Sequence, residues 1–215
     1  MLDMTDPGHD PIEPVAKRIR AFRDGALVLD TTRALLLFEP RHLPHYWVPR
    51  EDVRAAGTPA WAHTRDDLPA LASYVHLDWD AMDAWFEEDE EVHVHPRNPY
   101  HRVDALRSSR HVEVLVDGVV VADSHRPTIV FETYLRPRYY LPKLDVRMEL
   151  LRAETMTTGC AYKGRASYWS IEIDGMLQRQ LAWSYAYPDP SVAAIAGLVA
   201  FYDEKLEVRV DGRHG

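Results

Sequence analysis

The 215-residue chain has 34 acidic and 25 basic residues, a formal net charge of −9, and a single cysteine. The acidic balance argues against nucleic acid and anionic membranes as main partners, because both need clustered cations. One cysteine excludes an intrachain disulfide framework and a zinc site built mainly from cysteines. No apolar run reaches membrane-spanning length and the first residues lack the shape of a signal peptide, so we expect a cytoplasmic protein.

Two long segments of the chain are copies of each other. Residues 24–54 align with residues 117–147 without a gap, and 13 of the 31 positions are identical. This identity indicates a tandem duplication. After Arg54 the match resumes near Asp66, where Asp80 pairs best with Asp203, so that the shift between the copies grows from 93 to 123 residues. The first repeat therefore lacks the segment around Cys160 and the hairpin that follows it.

The elements in chain order predict a mainly β protein with a few short helices, an α+β chain of two small domains. We expect a flexible arm (1–15), a truncated first repeat (16–92), a connector (93–109) and a complete second repeat (110–215), with contact between the repeats. Asp-Gly pairs at 24–25, 117–118 and 174–175 predict hairpin turns. Apolar runs at 35–38 and 128–131 predict strands covered on both faces.

Two helices are predicted. In the second repeat Asp189 is a candidate N-cap before Pro190, and Val192, Ile195, Val199 and Tyr202 are spaced for one helical face. The first repeat should close with the matching helix, which begins near residue 66 and includes Asp78, Trp79 and Asp80.

The segment between the repeats, residues 87–111, is charged and is predicted to be a connector that begins with a solvated acidic run. His93 and His95 would share one face of a strand, with His101 close by. Imidazole pairs bind metals, but the further histidine and carboxylate at fixed spacing are missing. We therefore predict no metal site and no cofactor.

Three blocks of sequence carry a family resemblance: CAYKGRASYWSIEIDG, AWSYAYPDP followed by IAGLVAFYDEKLEV, and FE…P.YYLP..DVRMELL. Together they resemble the family of domain of unknown function 427, over the whole second repeat and part of the first. Where this family usually has Cys-Pro-Tyr-Lys-Gly, the chain has Ala161. The resemblance implies a fold similar to the β-tent (Mss4-like) architecture and no established activity. Relatives of that architecture often have a four-cysteine zinc site, which one cysteine cannot form, and an aromatic ligand cleft.

Cys160 and Lys163 are candidates for covalent chemistry. A nucleophilic thiolate needs a nearby cation and access, but residues three apart on a strand point to opposite faces. A turn at residues 162–164 would relax that objection, so a reactive thiol and a quiet buried thiol both remain open. Lys163 beside a glycine turn is expected to be exposed, and its replacement should leave stability almost unchanged.

Aromatic side chains are dense in the second repeat and suit either a core or a ligand cleft. Arg33, Asp52 and Glu39 recur as Arg126, Asp145 and Glu132, which argues for shared structural ion pairs, with Glu132 the best candidate for an exception. The leading hypothesis is an unknown small molecule bound in the second repeat by Glu132, Tyr139, Tyr140, Cys160, Lys163, Tyr168, Trp169 and Trp183. The alternatives are an enzyme that uses Cys160 or Lys163 covalently, and a protein-interaction module.

Overall fold

The computed structural model describes residues 11–40 and 42–214, except for the side chain of His214. The chain is mainly β, and it divides into two compact units at Asn98 and Pro99. All strand pairings given below are antiparallel. No helix in the described residues is long and apolar enough to cross a membrane.

The first unit contains two sheets. Its strands in the described residues are β1 (Ile12–Pro14), β2 (Ile19–Arg23), β3 (Ala26–Thr31), β4 (Leu35–Leu37), β5 (His45–Pro49), β6 (Ala62–His63), β7 (Tyr74–Leu77), β8 (Ala84–Glu87) and β9 (Glu90–Val92). Short 3-10 helices cover Arg50–Asp52, Pro69–Leu71 and Trp79–Ala81. A five-stranded sheet in the order β1-β4-β5-β7-β6 packs on a four-stranded sheet in the order β3-β2-β8-β9. The main core lies between them, where Val48 and Leu77 of one sheet meet Ile19 and Leu29 of the other.

The second unit repeats this plan with a longer sheet. Its strands are β10 (Val103–Arg107), β11 (Val112–Val116), β12 (Val119–Ser124), β13 (Thr128–Glu132), β14 (Arg138–Leu141), β15 (Leu151–Cys160), β16 (Gly164–Ile173), β17 (Met176–Pro188), β18 (Val199–Phe201), β19 (Glu207–Val210) and β20 (Arg213–His214). Its 3-10 helices cover Lys143–Asp145, Met148–Leu150 and Pro190–Ile195. Seven strands in the order β10-β13-β14-β18-β17-β16-β15 pack on the sheet β12-β11-β19-β20.

The strand orders show what the truncated repeat has lost. The order β1-β4-β5-β7-β6 corresponds to β10-β13-β14-β18-β17, and nothing in the first unit corresponds to β15 and β16. The closing strands keep the same register, since Ile19 pairs with Glu87 as Val112 pairs with Val210. Ile19 and Val112 are 93 residues apart, and Glu87 and Val210 are 123 residues apart, which are the two shifts that align the repeats in the sequence.

The middle strands of the seven-stranded sheet are buried on both faces. One face meets the four-stranded sheet in a core that contains Val112, Leu141 and Ile171. The other face carries a second core with Tyr140, Tyr168, Trp183 and Tyr185, against which Val192 and Ile195 of the last 3-10 helix pack. Because successive residues of a strand point to opposite faces, Tyr139 belongs to the first core and Tyr140 to the second.

The Asp-Gly turns are confirmed. Asp24 and Gly25 have φ values of 50° and 72°, and Asp117 and Gly118 repeat them at 50° and 79°. Two successive positive φ angles are what a two-residue type I′ hairpin turn requires, and Asp-Gly tolerates them best. Asp174 and Gly175 form the third such turn.

The two predicted helices are wrong. In the second unit the helical turn ends at Ile195, and Val199–Phe201 is a strand between β14 and β17. Gly197, with φ of 69°, ends the helical turn. The apolar residues of the strand are buried on both faces, so their spacing in the sequence looks like that of one helical face. In the first unit the matching segment forms the 3-10 helices Pro69–Leu71 and Trp79–Ala81 on either side of β7. Asp189 does cap its short helix, because its side chain accepts from the Ser191 amide.

Two further expectations about connecting segments need correction. Residues 1–10 of the predicted arm lie outside the described residues, but Ile12–Pro14 pairs with β4 as strand β1. The acidic run at 87–91 is not part of a connector, because it forms the β8–β9 hairpin, where Arg20 pairs with Asp89 at 2.6 Å. His93–His95 is not a strand, since β9 ends at Val92 and Val94 has φ of 73°.

Candidate functional site

Most of the recurring charges form the same ion pair in both units. Arg33 contacts Asp52 at 2.6 Å, and Arg126 contacts Asp145 at 2.6 Å. A hydroxyl donates to each carboxylate, Thr31 in the first unit and Ser124 in the second. The expectation of a shared structural ion pair is confirmed. These hydrogen bonds also lower the pKa of Asp145, with Arg126 the main cause.

Glu132 differs from its counterpart Glu39. Glu39 pairs with Arg65 at 2.7 Å, and its side chain is 32% exposed. The Glu132 side chain is only 9% exposed and pairs with the ammonium group of Lys163. Its second oxygen lies 3.0 Å from Nε2 of His101, whose ring stacks on Tyr162 at 4.1 Å. We call Glu132, Lys163 and His101 the Lys163 cluster, and Glu39 takes part in no such group among the described residues of the first unit.

The turn between β15 and β16 positions Lys163. Cys160 pairs with Gly164 across the hairpin, so residues 161–163 form the loop that was expected near residues 162–164. Gly164 has φ of 91°, and a Cβ atom there would lie 3.3 Å from the Tyr187 carbonyl oxygen. The Lys163 carbonyl accepts from the Asp189 amide at 3.2 Å, which holds the turn against the end of β17. Lys163 is therefore buried, contrary to the expectation of an exposed turn lysine.

The predicted aromatic residues divide between the two faces of the sheet. Tyr140, Tyr168 and Trp183 lie in the second core, and Cys160 packs against them half-buried. Tyr139 and Trp169 pack against the other core instead. The structure thus brings Tyr140, Tyr168, Trp183 and Cys160 together and separates Tyr139 and Trp169 from them.

Hydrogen bonds and burial fix the state of these tyrosines. The Trp183 indole donates to the Tyr140 hydroxyl at 3.1 Å, and the Tyr168 hydroxyl lies 2.8 Å from that of Thr158. Burial, with smaller contributions from the charges of Glu132 and Cys160, raises the pKa of Tyr140 above its ordinary value of 10.0. Burial likewise raises the pKa of Tyr185. Both hydroxyls therefore keep their protons at neutral pH.

The first unit contains a cavity that sequence reasoning missed. It has a volume of about 210 Å³. It is lined by Leu43, Pro44, His45, Tyr46, His76, Leu77, Trp79, Trp85, Val94, His95 and Pro96. These residues come from four separate stretches of the chain, 43–46, 76–79, 85 and 94–96, so no contiguous sequence pattern marks them. A comparison of the repeats could have found the signal, because Trp85 and His45 replace Val208 and Arg138.

His111, Asp123 and His125 form one group in the described residues whose ligand atoms lie within 4.8 Å of one another, close enough for a metal ion. His111 lies 2.7 Å from Asp123, and its ring stacks on that of His125. In the first repeat the positions of His111 and Asp123 hold the ion pair of Arg18 with Asp30, and the position of His125 holds Thr32. The group is thus the second repeat's version of an ion pair between neighbouring strands. The earlier metal candidates are apart from it, since His101 pairs with Glu132.

Two stacked-sheet units with matching strand order define a mainly β protein built by internal duplication. A family model described as domain of unknown function (DUF427) matches residues 11–85 and 104–212. The chain belongs to this family, and each matched segment covers one repeat. A search of curated proteins finds no match.

Proposed function

We propose that the second repeat binds a small molecule through a carbonyl or carboxylate oxygen at the Lys163 cluster. The observation that carries this proposal is a buried ammonium group with one hydrogen-bond acceptor in the part of the chain that the structure describes. An ammonium has three donors, and Glu132 accepts one of them. Buried donors are normally satisfied, so the remaining two call for an acceptor from outside the chain.

Tyr140 supports the same reading. Its hydroxyl accepts from the Trp183 indole, and no acceptor for its own proton is present among the described residues. Because burial keeps this hydroxyl protonated, it is a second buried donor in the same unit. Two protonated donors in a water-poor setting match the oxygen of a carbonyl group or a carboxylate.

The cost of the cluster favours function over a purely structural role. Burial of an ion pair gives little net stability, because desolvation offsets the attraction of the charges. The first repeat folds the corresponding sheet with Glu39 in a more exposed pair and no such cluster. The architecture that goes with this site is, in our proposal, similar to the β-tent, in a cytoplasmic protein.

A covalent enzyme is the second candidate, since Cys160 pairs with Gly164 at the base of the turn that carries Lys163. His101, the imidazole of the cluster, contacts Glu132, so it does not serve Cys160 as a base. We expect pyruvate, a small carbonyl-bearing carboxylate, to bind saturably without forming an adduct. Borohydride treatment with mass spectrometry tests this, because it would trap an imine on Lys163. Trapping of Lys163, or rapid alkylation of Cys160 by a maleimide at neutral pH, would favour the enzyme.

A further inference from the structure

The cavity of the first unit has walls suited to a flat ring. Trp79 and Trp85 stack at 4.8 Å with planes 10° apart, and Tyr46 lies 6.5 Å from Trp79 at 29°. The Trp85 indole donates to the Trp79 carbonyl at 3.2 Å, which fixes these rings. Leu77 and Leu43 add aliphatic surface. Rigid aromatic walls of this kind prefer stacked or edge-on aromatic partners.

The size of the cavity limits the ligand. Its volume of about 210 Å³ exceeds the roughly 150 Å³ of an engineered apolar cavity that holds benzene. It is smaller than the roughly 300 Å³ at which pockets for drug-sized molecules begin. A single ring or two fused rings therefore fit, and a nucleotide does not.

Imidazoles supply the polar part of the lining. Nδ1 of His76 lies 3.1 Å from the Tyr46 carbonyl oxygen. A carbonyl only accepts, so Nδ1 carries the proton and Nε2 is left as an acceptor. His45 lies beside it, with ring centroids 5.0 Å apart, and has no hydrogen-bond partner in the described part of the chain. Burial lowers the pKa of both imidazoles, so both are neutral acceptors at neutral pH.

The second repeat shows that the fold does not require these groups. At the position of Glu87, which is buried and accepts from the Tyr46 hydroxyl at 2.6 Å, the second repeat has Val210. Trp85 corresponds to Val208 and His45 to Arg138. One oxygen of the Glu87 carboxylate pairs with Lys17 at 2.5 Å. The other accepts from the Tyr46 hydroxyl and holds that ring in place. The truncated repeat thus has an aromatic and imidazole lining where the second repeat has two valines and an ion-paired arginine.

We propose that this cavity is a second ligand site, which takes a small planar heteroaromatic molecule bearing an N–H donor. The ring stacks within the tryptophan and tyrosine walls. Its N–H donates to the neutral imidazole of His45 or His76. The inference is independent of the Lys163 cluster, which lies in the other repeat.

The test uses the full chain and two probes of similar size, benzimidazole with an N–H and benzothiophene without one. Titrations followed by NMR should show saturable shifts of the Trp79 and Trp85 indole signals with benzimidazole. We expect benzothiophene to bind at least tenfold more weakly. His45→Ala should weaken benzimidazole binding by a similar factor, whereas His42→Ala, an exposed imidazole outside the cavity, should not.

Leu43→Trp should block the cavity and abolish binding, and Leu144→Trp, at a position that is 90% exposed, is its matched control. If Leu43→Trp does not fold, the His45→Ala result decides. The proposal is wrong if benzimidazole leaves both indole signals unmoved up to its solubility limit. It is equally wrong if benzothiophene binds as tightly, or if His45→Ala and His42→Ala behave alike.

Discussion

Lys163 and Glu132 hold opposite charges with side chains only 11% and 9% exposed. Neither residue is replaceable alone without leaving the other charge buried. In an exposed ion pair such as Arg147 with Glu149, loss of one partner leaves the other charge in water. The stability of single and paired variants therefore reports whether the cluster is buried as described.

Lys163→Met is expected to destabilise the chain by about 3 kcal/mol, because it strands the Glu132 carboxylate in a buried place. Glu132→Gln in the same chain should restore most of that loss, since a neutral amide replaces the unpaired charge. Chemical denaturation measures both. Arg147→Met is the control and should cost less than about 1 kcal/mol. Wild-type stability in the Lys163→Met chain would show that the ion pair is solvated.

At the scale of the element, the β15–β16 hairpin distinguishes the complete repeat from the truncated one. It carries Lys163 at its turn and Cys160 and Tyr168 on its strands. The turn is held by a close approach to the end of β17, where Gly164 meets the Tyr187 carbonyl. The hairpin thus places the ammonium group by backbone contact as well as by charge.

Gly164→Ala should destabilise the protein more than Gly175→Ala. Both glycines have positive φ, at 91° and 77°, so each alanine costs about 1–2 kcal/mol in backbone strain. Only at Gly164 does the added Cβ also meet backbone, at 3.3 Å, which should add about 1 kcal/mol or more. Denaturation of the two variants side by side measures the difference. Equal losses would mean that the turn is free to move away from β17.

How far the sequence predicts these elements depends on the range of the interactions. The Asp-Gly turns are predictable because the φ requirement is local, and the duplication predicts the shared strands and the Asp52 and Asp145 ion pairs. The prediction of a helix at 192–202 is wrong because the strand Val199–Phe201 is buried on both faces and so lacks the alternation of apolar and polar residues that marks a strand. Lys163 cannot be placed from sequence, because its burial depends on Glu132, 31 residues away. The cavity of the first unit is missed because four separate segments build it.

At the scale of the whole molecule, duplication has given two related sandwiches whose buried polar groups differ. The complete repeat buries Glu132 with Lys163, and the truncated repeat buries Glu87 with Tyr46 beside neutral imidazoles. The shared strand order shows that the fold tolerates either arrangement. Function depends on the site and not on the fold, so two repeats of one fold need not share a function.

Stability should fall as pH drops below about 6.5, because of the imidazoles in the first unit. Burial lowers the pKa of His76 and of His45 from 6.5, and neighbouring histidines add to the shift. The Tyr46 carbonyl and then Asp78 oppose the lowering of the pKa at His76, and Glu39 opposes it at His45. The unfolded chain then binds protons first, so this contribution is present above pH 6.5 and is lost as pH falls toward the folded pKa. Unfolding midpoints near pH 7.5 and 5.5 should differ less in His76→Phe than in wild type. His42→Phe is the control, and an unchanged pH dependence in His76→Phe would contradict this assignment.

The central claim, a ligand site at the Lys163 cluster, is tested most directly by calorimetric titration of pyruvate into three chains. These are wild type, the paired variant Lys163→Met with Glu132→Gln, and Lys205→Met, which removes an exposed lysine of the same unit. The paired variant should retain the fold while losing the ammonium donors. We predict equal affinity in wild type and Lys205→Met and at least tenfold weaker binding in the paired variant. Equal affinity in all three chains, or no binding to wild type, would contradict the claim.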